Sequence, residues 1–293
     1  MPTDIMRFRK QHSLAETCDL ESHATSIGAL SEVNRLTTEW LGGINNKSGR
    51  DSFVVLAYMN LVSRIHEQAS GMLVCVATNA WASAEALSRV VLESAVNLRC
   101  LCREGSEKSL LSFFDSWLDD HDNRLTLWRG LAEKNGTQKD LTRISERIDY
   151  VRLVREALDA IVEQLQMSRA EAPTEVWPNS VHGRFSLVGM EEDYRSTYHR
   201  MSSASHSLAE DTLNWLLLIH TPNSKLRLQA AGDEAVAYSV MLTRISLLVA
   251  VESMVACCIS RGLTDTSIGD RHRAALELAI EEIAARAGVP HAD

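Results

Sequence analysis

Proline is scarce in this 293-residue chain, at five residues, and aromatic residues make up only 5% of it. No stretch alternates apolar and polar residues over the length of a half-buried strand, so a sandwich or barrel is excluded in favour of helices. No run of like charge is long enough for an acidic or basic tail. The six cysteines, Cys18, Cys75, Cys100, Cys102, Cys257 and Cys258, contain neither a CxxC pair nor the spacing of a zinc knuckle. They are expected to be reduced thiols acting as small apolar residues.

Several enzyme signatures are missing as well. There is no Gly-x-Ser-x-Gly elbow, no pair of Glu-x-x-His motifs for a di-iron bundle, and no Gly-rich strand-loop-helix for a phosphate or dinucleotide. Neither a cofactor nor a metal is expected. The opening residues MPTDIMRFRKQHSL lack the apolar core of a signal peptide, which predicts a cytoplasmic protein. A formal net charge of −9 argues against a broad nucleic-acid footprint but leaves room for a small basic cleft.

What the chain does have is helical periodicity throughout. Trp81 to Cys102 reads as one helix that is apolar on nearly every side, and such a helix is buried within a bundle. Glu85, Arg89, Glu93 and Asn97 recur every fourth residue along it and form a polar ladder expected to lie largely inside. In one reading Arg89 and Glu93 satisfy each other there, together with Arg244 and Glu252 of a second apolar helix. In another, Glu93 orients a histidine across the bundle. That second helix, Ala235 to Ile259, is long enough to cross a bilayer, but Arg244 and Glu252 near its middle favour a buried helix and no membrane span.

The remaining segments follow in order. Ser13 to Leu41 predicts one or two amphipathic helices, ended by Gly42-Gly43, with Asp51 or Ser52 capping the next helix and Gly71 permitting a bend. The stretches after Ser106 and after Thr137 predict an antiparallel helical hairpin, with Asp119, Asp120, His121 and Asp122 on a solvated face. Ala172 to Gly189, with two prolines and two glycines, reads as a loop in which His182-Gly183-Arg184 is a weak phosphate candidate. TPNSKLRLQAAGDE reads as a second break, and Ser267 to Gly288 as a closing amphipathic helix. The expectation is an all-α, multi-helix bundle with a buried central helix: an N-terminal helical extension over 1–50, a bundle core over 51–262 and a C-terminal amphipathic helix over 263–293.

The polar cluster that stands out is YRSTYHRMSSASH, Tyr194 to His206. On an ideal helix Arg195, His199, Ser202 and His206 form one stripe, beside a second of Tyr194, Tyr198, Met201 and Ser205. An imidazole among hydroxyl and guanidinium groups suits proton transfer next to an anionic phosphate, without metal. The same stretch also suits a helix with an exposed polar face anchored by two tyrosines.

Together with Arg89, Glu93 and Asn97 in AEALSRVVLESAVNL, the residues Tyr194, Tyr198, Ser203 and His206 resemble a bacterial all-helical family catalogued as a domain of unknown function. The resemblance spans roughly Leu56 to Ile259. That family in turn resembles the HEPN superfamily, helical domains that often cut RNA without metal through an arginine and a histidine four to six residues apart. Arg200 and His206, with five residues between them, match that pattern. The resemblance implies His206 as acid/base and Arg200 as phosphate binder; Arg89, Glu93, Asn97, Tyr198, His199 and Ser203 form a polar cluster that either supports them or is structural. It further implies an RNA substrate, a cleft at a homodimer interface and a role in defence or stress. On a continuous helix Arg200 and His206 point about a third of a turn apart, so they converge only through a bend or a second subunit. The competing reading is a non-catalytic helical protein that binds a protein partner or a ligand.

Overall fold

The computed structural model describes residues 3–44, 49–104, 107–136, 138–169, 176–201, 213, 216–217, 219–220 and 223–289. The protein is all-α: 85% helical, with no strand among the described residues. Among the described residues the α-helices are α1 (Thr3–Gln11), α2 (Ala24–Ile44), α3 (Arg50–Ala77), α4 (Trp81–Glu104), α5 (Glu107–Asn135), α6 (Gln138–Gln164), α7 (Val181–Leu187), α8 (Glu191–Asp193), α9 (Ser224–Ile259) and α10 (Ser267–Ala284).

The core is organised around α4 and α9. On α4 the buried residues Ala84, Ser88, Val91, Ala95, Leu98 and Cys102 recur at alternating spacings of four and three, and on α9 Ser239, Thr243, Ser246, Ala250, Ser253 and Cys257 do the same. That period is the seam of a coiled coil, and small residues on both sides let the two backbones approach closely. Ser88 Oγ lies 3.4 Å from Thr243 Oγ1, Arg99 Nη1 donates to Glu252 Oε2 at 3.3 Å, and Ser239 donates to Glu85. The sequence separations of these pairs are 155, 153 and 154. Because the separation stays almost constant, the two helices run parallel and in register.

Helix α3 returns antiparallel to α4 through a short turn in which Asn79 adopts φ 59. Tyr58 is fully buried and donates to the carbonyl of Leu101 at 3.0 Å, while the Arg261 guanidinium caps its ring at 5.0 Å. The other side of α9 carries α2 and α10. Glu32 of α2 takes Arg271 at 2.6 Å and His272 at 2.8 Å, and Arg244 donates to the carbonyls of Ser22 and Ala279. Ile5 and Phe8 of α1 and Ile27, Leu30, Val33 and Leu41 of α2 belong to the same continuous core as α3, α4 and α9.

Helices α5 and α6 form the expected hairpin. Leu118, Leu125 and Ala132 on one arm and Ile144, Val151 and Leu158 on the other are buried at intervals of seven. Arg155 of α6 pairs with Asp119 at 3.1 Å and Asp122 at 2.9 Å, which fixes the antiparallel register. The predicted solvated acidic face is therefore partly used to join the two arms.

Five local expectations are corrected. The ladder on α4 is half-buried rather than interior, and Val90 between its rungs is 41% exposed, so the central helix keeps one open edge. Helix α3 begins at Arg50 after Gly49, whose φ of 92 makes the turn, and neither Asp51 nor Ser52 caps it; Gly71 lies inside the continuous helix, where a Cβ would meet Leu87 at 3.7 Å. A helix, α7, interrupts the predicted loop. Finally, α9 starts at Ser224 and runs through Gly232, so the second break is shorter than its composition suggests. Over Lys225–Ile259 the helix has the length and hydropathy to cross a membrane, and 67% of its most apolar window is buried in the protein.

Candidate functional site

The site is built where α7 and the turn after α8 fold back onto the ladder face of α4. Pro178 and Gly183 do not break helix here; they sit at its start. Ser180 Oγ accepts from the Gly183 N–H at 3.0 Å, the side-chain cap a short helix needs. A Cβ on Gly183 would approach Pro178 Cβ at 3.2 Å, so glycine lets the proline stack on the first turn. The helix stops at Gly189, whose φ of 73 turns the chain toward α8.

After Asp193 the backbone opens into a π-helical turn, Tyr194–Tyr198. This wider turn sets the two tyrosine rings in a stack 5.4 Å apart, and Phe185 of α7, fully buried, meets both at 5.5 and 5.3 Å. His182 meets Tyr194 edge-on at 4.9 Å. π-turns of this kind are rare and occur frequently at functional sites.

The turn delivers Tyr198 to the ladder. Its hydroxyl donates to Glu93 Oε2 at 2.7 Å and accepts from Arg89 Nη2 at 3.1 Å, while the Arg89 guanidinium lies 4.7 Å from the ring centre. Glu93 Oε1 accepts from Arg184 Nη2 of α7 at 2.9 Å. The Arg184 side chain is only 14% exposed; it lies over the Trp177 ring, and its carbonyl accepts from the Cys100 thiol at 3.3 Å. Burial, and then donation to the Glu93 carboxylate, raise the Tyr198 hydroxyl above its ordinary value, with Arg89 opposing. Glu93 thus receives a phenol and a guanidinium on separate oxygens, an arrangement that satisfies a half-buried charge.

Of the residues singled out in the sequence, Arg89, Glu93 and Tyr198 are brought together. Asn97 lies one turn further along α4, its Oδ1 buried without a hydrogen-bond partner among the described residues. His199 and Arg200 are exposed, and Arg200 Nη1 stands 3.5 Å from the hydroxyl of Tyr238 on α9. Ser203 and His206 lie outside the described residues. Arg244 and Glu252 do not join this group: Arg244 is bound to the backbone near α2 and α10, and Glu252 to Arg99 and Arg273. Arg184, the cationic partner of Glu93, reads in the sequence as part of a loop and only as a weak phosphate candidate. Its only signal there was a cationic side chain one position after a helix-starting glycine.

On the outer side of the Glu93–Arg184 pair a cleft of about 690 Å³ opens between α4, α5 and α7.

Residues 55–217, more than half of the chain, match a family described as a family of unknown function (DUF5677). The chain belongs to this family. The DUF5677 match opens inside α3 and takes in α4 to α8 with the π-turn, so every member of the Arg89, Glu93, Tyr198 and Arg184 network falls within it. The parallel partner α9, with α1, α2 and α10, falls outside the matched span. No curated protein and no solved structure matches the chain.

Proposed function

We propose that this DUF5677 protein is a HEPN-like, metal-independent ribonuclease or a domain derived from one, with His206 as acid/base and Arg200 as phosphate binder. The observation that carries the reading is the meeting of two patterns far apart in sequence. Tyr198, two residues before Arg200, is locked to Arg89 and Glu93 of α4. This anchor fixes the start of the Arg-x5-His segment against the bundle and leaves Arg200 at the surface, where an RNA backbone has access to it. Arg200 supplies charge to a phosphate, and an imidazole near neutrality moves the proton of the attacking hydroxyl. A second copy of the chain would complete the cleft, and a role in bacterial defence or stress follows from the same resemblance; the opening residues, without a signal-peptide core, support a cytoplasmic setting.

The test is incubation of wild type and His206→Ala with mixed RNA in EDTA, circular dichroism confirming that both are folded. Cutting by wild type alone supports the reading. Cutting by neither, or equal cutting by both, removes His206 as the catalytic group.

A second reading, a non-catalytic ligand-binding protein, is favoured by the cleft outside Glu93 and Arg184, whose described lining does not include Arg200.

A further inference from the structure

The cleft between α4, α5 and α7 has three kinds of lining, and together they select a ligand. The first is aromatic. Trp177 is held rigidly, its backbone N–H donating to Ser112 Oγ at 2.7 Å and its ring meeting Phe113 edge-on at 4.8 Å. Trp117 also lines the cleft and remains 43% exposed, its ring braced edge-on by His121 at 4.5 Å. A large, pre-placed ring with an open surface is a stacking platform.

The second is charge that is already paired. Arg184 pairs with Glu93 at 2.9 Å, Arg124 with Asp120 at 2.8 Å, and Asp119 with Arg155 at 3.1 Å. An anionic ligand finds each nearby guanidinium beside a carboxylate, and a cation finds the reverse. The third is neutral and polar: the carboxamides of Asn123 and Asn179, which offer a donor and an acceptor side by side. A volume of about 690 Å³ is in the range of small-molecule sites.

We infer that this cleft binds a neutral, planar nitrogen heterocycle of nucleobase type, stacked on Trp117 and read at its edge by the carboxamides. Two sources supply that chemistry, a free nucleoside and an unpaired base of single-stranded RNA. The inference stands on the cleft alone and does not rest on the ribonuclease reading.

Isothermal titration of the full chain with each of the four ribonucleosides, their triphosphates and a short single-stranded RNA tests it. At least one nucleoside is expected to bind saturably, with its triphosphate no tighter. Trp117→Ala, at an exposed position, is expected to weaken binding roughly tenfold or more, the scale of one lost base stack, and Asn179→Ala to change the preference among bases. Binding of the RNA with the same Trp117 dependence and of no free nucleoside assigns the base to a strand; nucleoside binding alone assigns it to a free ligand. Absence of binding by every probe at millimolar concentration overturns the inference. So does a triphosphate that binds much tighter than its nucleoside, or full binding by a folded Trp117→Ala. His206→Ala is expected to bind as wild type, which separates this result from the fate of the cutting reaction.

Discussion

Tyr198 and Glu93 lie 105 residues apart in sequence and 2.7 Å apart in space. The contact does two jobs at once: it pins the π-turn to α4, and it leaves Glu93 its other oxygen for Arg184. Losing either partner therefore has unequal effects. Tyr198→Phe removes the hydroxyl's hydrogen bonds with Glu93 and with Arg89 but leaves both charges in place, expected to cost about 1–2 kcal/mol. Glu93→Ala strips the carboxylate from both the phenol and the poorly exposed Arg184, and should cost more, on the order of 2–4 kcal/mol. Urea denaturation of the two variants decides it; a Glu93→Ala loss no larger than that of Tyr198→Phe removes Glu93 as the centre of the network.

The α4–α9 seam predicts sensitivity to size rather than polarity. Ala250 is fully buried in the stripe facing α4, so Ala250→Leu should overpack the pair and cost about 1–3 kcal/mol or more. The exposed Leu127→Ala on α5, at 70% exposure, should stay within about 0.5 kcal/mol. Thermal or chemical unfolding of both tests the contrast, and equal small losses would mean that α4 and α9 are not in close register.

The buried thiols should be silent. Burial pushes Cys100 and Cys258 up to about 12, and a hydrogen bond with Cys102, then burial, raises Cys257 as well. Thiolate is the reactive form. In the native protein a thiol reagent near neutral pH should therefore reach only Cys18 and Cys75, the two that are not buried, with Cys75 slowed because partial burial raises its thiol too. The other four should appear on denaturation; immediate reaction of all six would show that the α4–α9 seam opens readily.

Acid should loosen the bundle in two stages. Burial holds His12, His23 and His66 below the ordinary histidine value, with Arg244 adding to the effect on His23 and His12 to that on His66. A depressed folded value means that the unfolded chain takes up the proton first. Their contribution is thus complete above about pH 6.5 and is lost as the pH falls below it. Glu32 follows at lower pH. Burial pushes it up, but hydrogen bonds from His272 and Arg271 with their charges outweigh that and hold it below the usual carboxylate range. Its contribution is present above about pH 4.3 and disappears as the pH falls through the depressed value. Unfolding free energies measured between about pH 7 and pH 5 should fall in wild type and flatten in His23→Gln/His66→Gln. An unchanged slope in the double variant would assign the acid response elsewhere.

Where the period of the sequence is unbroken it predicts the element: α4, the α5–α6 arms and α10 all lie where their apolar residues recur at helical spacing. Breaker residues misled in both directions. Pro178 and Gly183 signalled loop and instead start α7, because a proline before the cap and a glycine in the first turn fit a helix start as well as a turn. Gly232 signalled a break inside α9 and costs that helix only a propensity penalty. The site was half legible. Arg89, Glu93 and Tyr198 were singled out, but the partner of Glu93 was sought among its helix neighbours and on α9, and it came from α7, 91 residues away. The π-turn was invisible because an ideal 3.6-residue period was assumed across Tyr194 to Tyr198.

The heptads of α5 and α6 carry a consequence for how such a chain tolerates change in length. Leu118, Leu125 and Ala132 face Ile144, Val151 and Leu158 across an arm roughly 40 Å long, and α6 packs chiefly on α5. Removing seven residues from one arm alone would throw its stripe against the partner's empty level and pull Arg155 away from Asp119 and Asp122. Removing seven from both arms would shorten the hairpin like a telescoping rod and leave every contact at its root, the cleft and the Glu93 network included, where it stands. Insertions and deletions in this hairpin are therefore expected to be tolerated best as matched, seven-residue pairs, which would make its reach a trait that evolution or an engineer adjusts independently of the body that carries it.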